Sequence, residues 1–198
     1  EENTKPLRTA VVAIIGRPSA GKSTFLNTAC QEPVSIVSPI PQTTRNAIKG
    51  IVNTSLGQLI FIDTPGYHDS DKKLNLRLKS VTESQLSDID CVLYIIDSTR
   101  ATGEEEIHTA ELLKNIQAKT VVAINKTDLP TAKAEASRKF VAAHLPEIPA
   151  ERIFEMSAQK DIGINEVLKG IYDISPEGQP MYDEELYTDQ DLTFRVCE

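Results

Sequence analysis

Gly16-Arg17-Pro18-Ser19-Ala20-Gly21-Lys22-Ser23 is the stretch on which the fold turns. A glycine, four residues and then Gly-Lys-Ser make a phosphate-binding loop when a buried strand precedes them and a helix follows. Both flanks fit. Ala10 to Ile15 (AVVAII) is an unbroken apolar run, as a strand covered on both faces requires. From Lys22 to Cys30 there are good helix formers and neither Gly nor Pro. In such a loop Gly16 and Gly21 let the backbone wrap with its N–H groups pointing inward. The helix N-terminus adds partial positive charge to the same concavity. Lys22 can reach the β- and γ-phosphates, and the Ser23 hydroxyl can ligate Mg²⁺.

The whole chain sets the bounds. Its 198 residues suit one domain with a short appendage, and 40% hydrophobic content suits an ordinary core. A net charge of −8 argues against non-specific nucleic-acid binding by this chain alone. Cys30, Cys91 and Cys197 are scattered, show no metal-ligand spacing and fit a reducing cytosol. No apolar run approaches the length of a membrane helix, and Glu1-Glu2-Asn3-Thr4 does not open a signal peptide. A soluble cytoplasmic protein is expected.

In chain order, Glu1 to Arg8 reads as a mobile lead-in and Thr9 to Ile15 as the first strand. Pro33, Pro39 and Pro41 make Glu32 to Arg45 a long loop, unsuited to a regular helix or strand. Ala47–Val52 and Gln58–Asp63 are strands joined by the turn Thr54–Gly57, short enough to require an antiparallel hairpin. A helix is expected over Leu74–Leu86 and a buried strand over Asp90–Asp97 (DCVLYIID). Glu104–Gln117 is helical with acids in its first turn, its inner face formed by Ile107, Ala110, Leu113 and Ile116. Strand Thr120–Ile124, helix Thr131–His144, strand Arg152–Met156 and helix Ile164–Ile174 follow. The alternation predicts an open α/β sheet, mostly parallel, with helices on both faces. Residues 9–174 would form the nucleotide-binding domain. Ser175–Pro180 has a linker composition, so residues 175–198 read as a linker and the start of something further.

A phosphate loop does not select the base. Asn125-Lys126-Thr127-Asp128 does. A carboxylate at Asp128 can accept from the N1–H and 2-amino group of guanine, whereas adenine would set lone pairs against it. Sites built on such pairing reject the wrong partner by about 10⁴-fold. Asn125 could contact the base edge, the Lys126 stem could lie along the base, and the Ala158 N–H beside Ser157 could bond the guanine O6. Asp63, at a strand end, can hold Mg²⁺ through water, and Gly66 of Asp63-Thr64-Pro65-Gly66 can offer an N–H to the γ-phosphate. Thr44, or Thr43, could supply a hydroxyl to Mg²⁺, with Thr44 preferred beside Arg45. Phosphate and base contacts together fall to residues 16–24, Thr24 included, to Asp63, Thr64, Pro65 and Gly66, and to Asn125, Lys126, Asp128, Ser157 and Ala158.

This constellation resembles the translation-factor class of GTP-binding proteins, and within it the bacterial Era GTPase family. The likeness covers nearly the whole chain. It rests on Gly16–Ser23, Pro41-Gln42-Thr43-Thr44-Arg45, Asp63-Thr64-Pro65-Gly66-Tyr67-His68, Asn125–Asp128, Met156-Ser157-Ala158, and Pro176-Glu177-Gly178 with Thr188-Asp189. The resemblance implies a P-loop GTPase fold, a six-stranded sheet with one antiparallel edge strand. It implies Mg²⁺-dependent GTP hydrolysis and a role in small ribosomal subunit assembly with 16S rRNA. It also allows peripheral association with the inner membrane. Members of the family continue into an RNA-binding KH domain. No Gly-X-X-Gly loop of that type follows Pro180 here, which puts RNA binding by this chain in doubt. Ser19 stands where relatives commonly have the Asn that ligates potassium, and its shorter arm weakens the case for a K⁺ site.

Catalytic assignments are Lys22, Thr44 and Gly66. Tyr67 follows Gly66 where Ras-like enzymes place a water-orienting Gln, and it cannot make the same pair of hydrogen bonds. Slow hydrolysis by positioning and Mg²⁺ is therefore expected, raised by a partner or a cation. His68, Arg17 and Arg45 lie near enough in sequence to approach the phosphates. The alternatives are a module that senses GTP against GDP with negligible turnover, and a P-loop kinase, against which Asn125–Asp128 argues.

Overall fold

Strand β1, Arg8–Ile15, is the centre of the sheet, because Thr9 to Ile15 can be covered on both faces and all of them are buried. A computed structural model describes residues 5–17, 19–30, 36–37, 47–63 and 89–180. After β1 come helix α1 (Lys22–Cys30), strands β2 (Ile36–Val37), β3 (Ala47–Thr54), β4 (Gly57–Asp63) and β5 (Cys91–Asp97), and helix α2 (Glu104–Leu113). Strand β6 (Thr120–Asn125), helix α3 (Ala134–His144), strand β7 (Ile153–Glu155) and helix α4 (Ile164–Asp173) complete the order.

Among the described residues the sheet has seven strands in the order β2-β3-β4-β1-β5-β6-β7. β4, β1, β5, β6 and β7 are parallel neighbours, and β3 runs antiparallel to both β2 and β4. The expected strands are all present. The edge is corrected, because β3 is covered by the two-residue β2, where Ile36 pairs with Ile48 and Val37 with Ala47.

Side chains alternate across the strands, so each strand feeds two cores. Val12, Ile14, Phe61, Leu93 and Ile95 face α1 and α4, with Phe25 edge-on to Phe61 at 5.7 Å between ring centroids. Val11, Ile15, Ile62, Tyr94 and Ile96 face α2 and α3 through Ala110, Leu113, Phe140 and Val141. Each fully buried Ile or Phe contributes roughly 1.5–3 kcal/mol.

Several sequence expectations change. The helix expected over Glu104–Gln117 ends at Leu113 and passes into a 3₁₀ turn, Lys114–Lys119, within which Ile116 has φ −127°. Its inner face is Glu106, Thr109, Ala110 and Leu113, whereas Ile107 is exposed. Arg8 is not lead-in. It starts β1, and its Nη1 donates to the carbonyls of Tyr172, Asp173 and Ser175, capping α4. Nor does the linker leave at once. Glu177 bridges antiparallel to Arg8, Thr9 N–H donates to the Pro176 carbonyl, and Gly178 N–H donates to that of Leu7. The β3–β4 turn is tied in as well. Gly57 has φ +141° and lies so close to the Arg8 carbonyl that a Cβ would overlap it, while the Tyr172 hydroxyl donates to the Gly57 carbonyl at 2.9 Å.

The helix expected over Leu74–Leu86, the remainder of the Glu32–Arg45 loop and residues 181–198, with Thr188 and Asp189, lie outside the described residues.

Candidate functional site

The expected site residues that are described gather at the C-terminal edge of the sheet, where ligands bind in open α/β folds. Gly16 follows the last residue of β1. Ala20 N–H donates to the Arg17 carbonyl at 3.0 Å, closing the loop on itself. Gly21 has φ +103°, and its carbonyl accepts the Phe25 N–H at 2.8 Å as α1 begins. A Cβ on Gly21 would run into Asn125 Nδ2, so this position needs glycine for its φ and for the approach of a neighbouring loop. Lys22 is buried at the first turn of α1, and Ser23 and Thr24 are exposed beside it. Asp63 ends β4 in register with Ile14, which sets its backbone beside the root of the loop.

The base-side motif follows β6. Asn125 is 3% exposed and turned wholly to protein. Its Nδ2 donates to the Ala20 carbonyl at 2.8 Å, and its Oδ1 accepts the Ala158 N–H at 3.0 Å. In this arrangement it clasps three loops rather than offering itself to a base edge, and the Ala158 N–H expected at guanine O6 is donated within the protein. Lys126, with φ 64°, reaches back over the phosphate loop. Its Nζ donates to the Ser19 carbonyl at 2.8 Å and to Asp97 Oδ2 at 2.9 Å. Thr127 Oγ1 donates to the Met156 carbonyl, linking the β6 and β7 loops. Asp128 is half-buried, and Lys160 Nζ stands 4.0 Å from its carboxylate. Ser157 is buried and pairs with Ile162 through both backbone bonds, and the Ala158 carbonyl accepts Thr28 Oγ1 from α1.

Arg17 does not point to the phosphate concavity. Its Nε is 2.7 Å from Glu105 Oε2 on α2. Next to that pair, burial pushes the Glu106 carboxyl up to about 7, with the Arg17 charge opposing. Asp97 shows the reverse balance. Burial alone would raise its pKa, but hydrogen bonds from Thr99 and Lys126 outweigh it and hold the carboxyl below its usual value.

Sequence reasoning left Asp97, Glu105, Glu106, Thr28 and Lys160 unassigned. Asp97 had a signal, since an acid closing an apolar strand sits where ligands bind. Pro18, Thr43, Thr44, Arg45, Thr64, Pro65, Gly66, Tyr67 and His68 lie outside the described residues. For Mg²⁺, Ser23 on the first turn of α1 brings a hydroxyl and Asp63 at the end of β4 is a carboxylate residue, hard oxygen donors of the kind that ion takes.

A family model described as 50S ribosome-binding GTPase matches residues 11–126. GTPase Era of Treponema denticola is 58% identical over 192 residues, covering 97% of this chain, and the chain spans 65% of that protein's length. Era solved with Mg-GDPNP and a stretch of 16S ribosomal RNA is similar at 30% identity and TM-score 0.71, over 90% of this chain and 61% of that one. An Aquifex aeolicus Era variant bound to GDP and aluminium fluoride matches at 31% identity and TM-score 0.67, with the same coverage. The chain therefore belongs to the GTPase family that the model describes, and its kinship within that family is with the Era GTPases.

Proposed function

We propose that this chain is a GTP-binding, slowly GTP-hydrolysing molecular switch that works with Mg²⁺. The observation that carries the reading is the convergence of three loops through Asn125, which joins its own base-side loop to Ala20 of the phosphate loop and to Ala158 of the loop after β7. Lys22 and the N-terminus of α1 would bind the β- and γ-phosphates, and Asp128 would read the guanine edge. Ser23, Asp63 and Thr44 would hold Mg²⁺, which when bound neutralises charge on the β- and γ-phosphate oxygens. Gly66 would give its N–H to the γ-phosphate. Arg17, which adjoins Gly16 of the phosphate loop, is held by Glu105 instead. That supports slow intrinsic turnover, and it also favours the second reading, a GTP/GDP-sensing module with negligible turnover until a partner acts.

By kinship with Era, the chain would serve small ribosomal subunit assembly in the cytoplasm through its nucleotide state. Among the described residues no helix is long and apolar enough to cross a membrane. The family resemblance would allow peripheral association with the inner membrane.

Fluorescent GDP and GTP binding with ATP as competitor, followed by single-turnover hydrolysis in Mg²⁺, tests this. Guanine-selective binding with measurable turnover supports the switch. Displacement by ATP would sink it, and tight binding without turnover would select the sensing module. Running hydrolysis in potassium and in sodium tests the cation: stimulation by potassium would add a monovalent site despite Ser19, and equal rates would leave Mg²⁺ alone.

A further inference from the structure

Asp97 closes β5, and the readings above give it no part in nucleotide binding. Its side chain is 2% exposed. Oδ1 accepts both the N–H and the hydroxyl of Thr99, at 2.9 and 2.5 Å, and Oδ2 accepts Lys126 Nζ at 2.9 Å. The carboxylate is thus oriented from one side and spends its other oxygen on a single lysine. That lysine stands on a left-handed backbone with φ 64° and also donates to the Ser19 carbonyl at 2.8 Å.

A free lysine stem samples many rotamers, and an ammonium without an anion is drawn toward water. Here Asp97 removes that freedom. The result is a fixed strut from the base-side loop, over the top of the phosphate loop, to the end of β5.

We propose that Asp97 is a positioning residue for nucleotide retention. It pins the Lys126 ammonium, so that the lysine stem forms a standing wall of the base site and the Ser19 carbonyl stays in place. Asp97 need not touch nucleotide, and its effect passes through Lys126. This rests on the GTP reading above. Loss of the pin releases nucleotide faster and leaves base choice, which belongs to Asp128, unchanged.

The test is the dissociation rate of fluorescent GDP from the 198-residue chain, chased with unlabelled GDP. Asp97→Ala should speed release by about tenfold, as expected for a lost bond to a charged group. Asp97→Asn keeps its bonds to Thr99 but loses the charge, and it should fall between. The GDP-to-IDP preference should not change in either variant. A double-mutant cycle separates positioning from general loosening: in a Lys126→Ala background, Asp97→Ala should add less than about twofold. Release within twofold of native for both Asp97 variants would overturn the proposal. So would a full tenfold effect that persists without Lys126. If the native chain binds neither GDP nor GTP, the GTP reading falls and takes this inference with it. Native binding with unaltered variants sinks the inference alone.

Discussion

Glu106 and Ile107 stand in each other's expected places on α2: the glutamate is 1% exposed and the isoleucine 37%. The Glu106 Oε2 atom has no hydrogen-bond partner among the described residues. Burial pushes this carboxyl from 4.5 up to about 7, with Arg17 opposing. The folded state therefore binds the proton more tightly than the unfolded chain. The stability that goes with protonated Glu106 is fully present below pH 4.5 and is lost as pH rises through about 7. The loss is on the order of 3 kcal/mol by pH 8. Glu106→Gln should recover most of it and flatten the stability curve between pH 5 and 8, as read by denaturant unfolding. An unchanged slope in that variant would refute the assignment.

Arg17 sets the size of the same effect. Its ion pair with Glu105 is partly exposed, so the pair itself contributes less than about 1 kcal/mol. Removing its charge leaves Glu106 with nothing opposing desolvation. Arg17→Ala should therefore move the Glu106 titration to higher pH, and high salt should move it the same way in the native chain to a lesser degree. A downward shift would contradict the arrangement.

Gly21 faces two constraints. Alanine there would meet Asn125 Nδ2 and would have to hold φ +103°. Strain of that kind is roughly 1–3 kcal/mol. Gly21→Ala should lower the melting temperature and weaken GDP binding. Asn125→Ala should do both as well, since it unties Ala20 and Ala158. The double variant should be more stable than the sum of the singles, because the second change removes the clash created by the first. Strict additivity would mean that the two side chains never meet.

Much of this was legible and some of it was not, for physical reasons. β1 and α1 announce themselves because an apolar run, two glycines and Lys-Ser all agree. β2 does not, because two residues between prolines carry no periodicity. Ile107 misleads because helical spacing counts apolar residues, whereas the register of α2 against the sheet puts Glu106 and Thr109 inward. The 3₁₀ turn around Ile116 breaks the period just where the extrapolation continued. At the site, residue types with distinctive spacing were found. The partnership of Asp97 and Lys126 was not, since it joins the ends of two strands far apart in sequence.

Arg8 should matter to stability and not to nucleotide. Its side chain adds a donor to three carbonyls at the end of α4, of which Tyr172's also accepts the Ser175 N–H. Arg8→Ala should cost about 1–2 kcal/mol in urea unfolding and leave GDP affinity unchanged. A large affinity change would show that the base of the sheet communicates with the loop.

The pairing of residues 176–178 with the start of β1 has a mechanical consequence. A pull on the chain at residue 180 is taken up first by the Glu177–Arg8 bridge, the Thr9 and Gly178 backbone bonds and the Arg8 cap. Those anchors lie at one end of an eight-residue strand and the phosphate loop at the other, about 26 Å away at the usual rise per residue. β1 is clamped on both sides by parallel neighbours, so tension along its axis loads its hydrogen bonds in shear, all at once. A pull in that direction from beyond residue 180 therefore meets the whole ladder of β1 before it reaches the nucleotide site.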